Sequence, residues 1–82
     1  MEVAMQKWEY KRVIAHFLIN HRVYDWVQYV YSNGTQVMEN VDSAVFFDYL
    51  DTQGHEAWEL INANSYNEGT HIETYFFKRP IE

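Results

Sequence analysis

Hydrophobic and polar residues alternate along most of this chain. From Lys7 to Phe17 the run KWEYKRVIAHF is rich in β-formers and contains no glycine or proline. Successive side chains of a strand point to opposite faces, so Trp8, Tyr10 and Arg12 share one face and Val13, Ala15 and Phe17 the other. The hydrophobic side switches near Arg12–Val13, which predicts either a bulge there or burial on both faces. Leu18 to Arg22 reads as a turn.

Val23 to Ser32 (VYDWVQYVYS) is a second aromatic strand. Strict alternation sets Val27, Tyr29 and Tyr31 against Trp26, Gln28 and Val30. Asn33-Gly34 follows, and Thr35 to Met38 resumes the extended pattern, either as a third strand or as part of a longer loop. Asn-Gly between such runs signals a hairpin, because a type I′ turn needs φ > 0 at both central residues. Asn33-Gly34-Thr35 also matches a glycosylation acceptor; with no secretion signal in the chain it reads as a turn.

The period then changes. Asp42 or Ser43 is suited to cap a helix, and Phe46, Phe47 and Leu50 form an apolar stripe at helical spacing with Tyr49 at its edge. Asp48, Asp51 and Thr52 face water, and Gly54 suits a left-handed helix end. Alternation returns in Trp58 to Tyr66, with Trp58 and Leu60 set against Glu59, Ile61 and Ala63. Asn67 to Gly69 is a turn. Thr70 to Lys78 is the last strand, with Ile72, Thr74 and Phe76 opposed to His71, Tyr75 and Phe77, and Pro80 ends its ladder. The order β-β-(β)-α-β-β predicts an α+β domain: a mostly antiparallel sheet of four to five strands with one short helix on one face. Residues 1–6 carry no pattern and read as a flexible tail before a single domain at 7–82.

With 82 residues the core is thin, yet 48% of residues are hydrophobic and 18% aromatic. Aromatic residues fall on both alternations of the strands, and one helix covers one face. A homo-oligomer, most simply a dimer, is therefore expected through the opposite face. The net charge of −6 argues against nucleic acid and anionic membrane as partners. The start lacks a signal peptide and no apolar run is long enough to span a bilayer, so a cytoplasmic protein is expected.

Three blocks, WEYKRV at 8–13, LDTQGHEAWELINA at 50–63 and TYFFKRP at 74–80, occur in that order. The set resembles the small bacterial proteins grouped as domain-of-unknown-function family 4177. In that family an aromatic-Glu-Tyr-Lys strand opens the chain, and a helix runs into a Gly-x-Glu-Gly-Trp-Glu-Leu segment. A strand ending in Phe-Lys-Arg-Pro closes it. Ala57 stands where the family usually has glycine, and 16–41 is longer than in its shortest members. The resemblance supports the fold and brings no activity with it.

Candidate chemistry is sparse. The four histidines lack zinc-ligand spacing, no serine triad is arguable, and Gly34, Gly54 and Gly69 are isolated, so no catalytic residue, metal or cofactor is expected. His71 and Glu73 share one face of a strand, either as an acid–base pair or as a solvated face. Trp58 either fills the junction of helix and sheet or lines a pocket. The basic residues concentrate at the ends. If the first and last strands pair, Lys7, Lys11, Arg12, Lys78 and Arg79 meet beside Trp8, Tyr10 and Tyr75, a set suited to a small anionic or nucleotide-like ligand. The ordinary alternative is charge guarding a sheet edge. The reading is a non-enzymatic binding or assembly domain, with a binder of a small anionic ligand as its rival and a histidine enzyme third.

Overall fold

The alternating runs become strands because β-branched and aromatic side chains fill a pleated surface. In the computed structural model, which describes residues 5–20, 23–68 and 70–81, they form β1 (Lys7–Asn20), β2 (Val23–Ser32), β3 (Thr35–Asp42), β4 (Glu59–Glu68) and β5 (Thr70–Ile81). One helix, α1 (Ser43–His55), lies between β3 and β4. The sheet order is β3-β2-β1-β5-β4, and every neighbouring pair is antiparallel. This is the α+β architecture expected, with Thr35–Asp42 a true third strand.

The first and last strands pair at the centre, from Lys7 opposite Ile81 to Phe17 opposite His71, without a register shift. β3 and β4 run in the same direction at opposite edges, so a hairpin cannot join them and the chain must cross a face. Four inter-strand spacings span about 19 Å. The 13-residue helix is about 20 Å long, enough to make that crossing.

Several boundaries differ from the sequence reading. β1 runs on to Asn20, which pairs with Val23; of the turn expected at Leu18–Arg22, His21 and Arg22 lie outside the described residues. Gly69 of the second turn and the first four residues of the expected tail lie outside them too. Pro80 does not end the ladder: it sits opposite Trp8, and β5 reaches Ile81. β4 begins only at Glu59, opposite Lys78, so this end of β5 has β1 alone beside it, an edge where proline is tolerated.

No bulge occurs at Arg12–Val13. The register shifts lie instead in the other pairings, and each redirects side chains. Against β1, the shift between His16 and Phe17 leaves Gln28 without a partner. Val27 and Val30 therefore fall on one face, and Trp26, Tyr29 and Tyr31 on the other, contrary to strict alternation. A second shift, between Leu60 and Asn62, leaves Ile61 unpaired and sets Leu60 and Ala63 on one face, across from Phe77 and Tyr75.

The face toward α1 holds the core: Val13, Ala15 and Phe17 of β1, Val27 and Val30 of β2, Phe77 of β5, and Phe46 of the helix. Phe46 is fully buried and meets Phe17 edge-on with ring centres 5.7 Å apart. The helix seam runs Phe46, Tyr49, Leu50, Gln53 at the i, i+3, i+4, i+7 spacing. Phe47, expected in the stripe, is 48% exposed, and Gln53, a polar residue, is buried in its stead. Asp42 caps the helix, its Oδ1 accepting from Ala44 N–H at 2.8 Å. The helix exit is displaced from the expected position. Gly54 is helical, and the left-handed residue is Ala57, with φ +70°.

Candidate functional site

The β1–β5 pairing brings the basic-aromatic ends together, and the strand period then divides them. Trp8, Tyr10, Arg12 and Lys78 project from the open face, while Lys7, Lys11, Tyr75 and Arg79 belong to the alternation facing the helix. The eight residues therefore form two groups on opposite sides of the same strand ends.

On the helix side, Lys11 is held in a cage. Its Nζ donates to Gln53 Oε1 and lies 5.2 Å from the centre of the Trp58 ring and 5.9 Å from that of Tyr49. Burial pulls its ammonium below the ordinary lysine range; Glu56 opposes that change and Arg79 adds to it. Arg79 stacks on Trp58 at 4.2 Å, pairs with Glu9, and donates from Nη1 to the Glu56 carbonyl at 3.0 Å. The Trp58 ring is half-buried between the two cations, and its backbone N–H donates to the Gln53 carbonyl at 3.0 Å. These contacts tie the helix exit to β1 and β5 and so pin it to the sheet.

Farther along that face, His71 and Glu73 do pair, with Nε2 3.1 Å from Oε2, while the Tyr75 hydroxyl donates to the other carboxylate oxygen. Burial, then the Glu73 contact, pushes the Tyr75 phenol well above its ordinary value and keeps it a donor. With both oxygens engaged, Glu73 orients its neighbours and is poorly placed as a free base. Among the described residues no three histidine or acidic side chains gather as a metal site.

The open face is different. Among the described residues no element covers it. Trp8, Tyr10, Leu18, Trp26 and Tyr66 are exposed, and Tyr29, Tyr31 and Phe76 are half-buried. His16 stands at its centre, edge-on to Tyr29 and Tyr31 at 6.3 and 5.8 Å. At one end Lys78 Nζ lies 4.3 Å over the Trp8 ring. Beside it a cleft of about 420 Å³ is lined by Tyr10, Arg12, Asn33, Ile61 and Phe76, with the paired positions Lys11 and Phe77 completing it. Asn33 enters because the hairpin turn is docked on β1: its N–H donates to the Arg12 carbonyl at 2.9 Å and its Oδ1 accepts from Arg12 N–H at 2.8 Å. Sequence reasoning placed Arg12 and Tyr10 in a site and missed Asn33, Ile61 and Phe76. The Asn-Gly signal located the turn; that the turn folds against Arg12 follows only from the β1–β2 register.

No helix among the described residues is long and apolar enough to cross a membrane. Comparison of the chain with family models, with curated proteins and with solved structures returned no match.

Proposed function

We propose that this protein is a small, non-enzymatic assembly domain of the cytoplasm that self-associates through the open face of its sheet, most simply as a twofold dimer. The observation that carries the reading is the aromatic face left without cover among the described residues. Full aromatic side chains present 150–250 Å² each, so Trp8, Tyr10, Trp26 and Tyr66 alone leave about 400 Å² of ring surface in water. A monomer tolerates little more. The whole face, five strands wide and about ten residues long, offers about 800 Å², the area one partner contributes to a stable interface. A second copy matches it because a twofold axis sets like against like, apolar centre on apolar centre.

Sedimentation equilibrium at micromolar concentration tests this. The expected mass is twice the 9.9 kDa of the chain. Leu18→Glu combined with Trp26→Glu, cross-strand neighbours on that face, returns the protein to a folded monomer. A wild-type monomer overturns the proposal.

We also propose that the chain is a distant member of family 4177. The support is local: the position where the family carries glycine is here the left-handed Ala57, a conformation glycine adopts without cost. The structure of a family member with φ < 0 at that glycine would count against membership.

A further inference from the structure

We infer that the cleft at the end of the open face is a binding site for a small planar aromatic anion, a flat ring carrying a phosphate or carboxylate. Acidic residues outnumber basic ones two to one in this chain, 12 against 6. Even so, the Arg12 side chain is exposed and makes no ion pair or side-chain hydrogen bond among the described residues. Its guanidinium is a planar fork of donors matched to an anionic oxygen pair. Lys78, on the same face one pair along, adds positive charge beside it.

The walls supply the rest of the recognition. Phe76 is directly opposite Arg12, and Tyr10 is the next residue on that face of β1, so both rings line the cleft with Arg12. Such surfaces stack a planar ligand. Asn33 spends its Oδ1 on the Arg12 N–H, which leaves the amide NH₂ as a second donor at the cleft. Ile61, unpaired at the β4 bulge, closes the apolar side. A cleft of about 420 Å³ falls within the range of small-molecule sites. Donors and rings lining one cleft favour a ligand with both an aromatic and an anionic part. Each group named belongs to one chain, so the inference does not rest on self-association; Tyr10 is also part of the face proposed for the dimer, so a partner copy that covers the cleft competes with the ligand.

Isothermal titration of the full chain tests it with two probes, adenosine 5′-monophosphate for a phosphate and 2-naphthoate for a carboxylate. Adenosine and inorganic phosphate serve as controls. At least one probe is expected to saturate with a Kd below about 1 mM, and each control to bind at least about tenfold more weakly. Arg12→Gln should weaken the bound probe by about 10- to 100-fold, the loss of one charged hydrogen-bonding group. Tyr10→Ala, at a 64% exposed position where folding is safe, should weaken it severalfold. Amide shifts on titration should centre on Arg12, Asn33 and Phe76. Failure of both probes to saturate overturns the inference, as does unchanged binding by Arg12→Gln or phosphate binding equal to that of the probes. The mass of the protein by sedimentation, measured alongside, reports separately on assembly.

Discussion

On the helix side of the sheet, Lys11 and Arg79 near the strand ends have partners and the large rings at the centre are covered. Lys11 has Gln53 and two rings, Arg79 has Glu9 and a carbonyl, and Phe17 and Phe77 are shut in beneath Phe46 and its neighbours. On the opposite side, the same strands expose Tyr10, Trp26 and Tyr66, and the Arg12 side chain makes no ion pair or hydrogen bond among the described residues. Both faces are hydrophobic, the covered one through valine and phenylalanine and the open one through tyrosine and tryptophan, so hydrophobicity alone does not separate them. The difference is topological: one crossover helix covers one face, and the order of strands decides which. A closed face serves stability, and an open one is available for recognition.

The largest test of that contrast is truncation on each side. Phe46→Ala should cost about 3–5 kcal/mol in chemical denaturation, as large core truncations do, independent of protein concentration. Tyr29→Ala on the open face should cost an amount that grows with protein concentration, because the part of its ring left open in one chain is covered on assembly. An equal, concentration-independent loss for both would erase the distinction.

Trp58→Ala is the next in size. Its ring is half-buried and carries Arg79 and Lys11 on its faces, so a loss of about 2–3 kcal/mol is expected, below that of a fully buried ring. A loss under 1 kcal/mol in the same assay would mean the caged cations, not the ring, hold the helix exit.

Two substitutions at that exit should stabilise. Ala57→Gly relieves a left-handed alanine and should gain about 1 kcal/mol. Gly54→Ala should gain about 0.5–1 kcal/mol, since a helical glycine there has nothing within 4 Å of an added Cβ. Thermal or urea unfolding reads both. Reversal of the two signs would restore Gly54 as the left-handed residue.

The smallest effect is alkaline. Tyr75 is held protonated in the fold, while an unfolded tyrosine ionises near 10.0. Above that pH the folded state binds more protons, so the stabilisation is complete below pH 10 and declines as pH rises further. Lys11, shifted down, works in the opposite sense as pH approaches 10.5, and it is common to both proteins when wild type and Tyr75→Phe are compared. Their difference in stability should shrink from pH 9 to 11, by no more than about 1.4 kcal/mol per pH unit. A constant difference would place the phenol in water.

Much of this was legible in one dimension. Strand period, the Asn-Gly turn with φ +49° and +85°, the Asp42 cap and the α+β class each depend on neighbours in sequence, where local sterics and hydrogen bonding dominate. The sides taken by Val27, Val30, Tyr29 and Ala63 did not follow from alternation, because an unpaired residue in a bulge reverses the faces beyond it, and only the register with a partner strand shows where that happens. Nor could the sequence tell which basic residues would share a face: Lys11 and Arg12 are adjacent in the chain and lie on opposite sides of the sheet. Gln53 in the core, Ala57 in the left-handed position and Asn33 docked on Arg12 were likewise decided in three dimensions. The first and last are contacts between segments distant in sequence, Gln53 with Lys11 and Asn33 with Arg12, and their energy exists only once β1 has been set in the sheet.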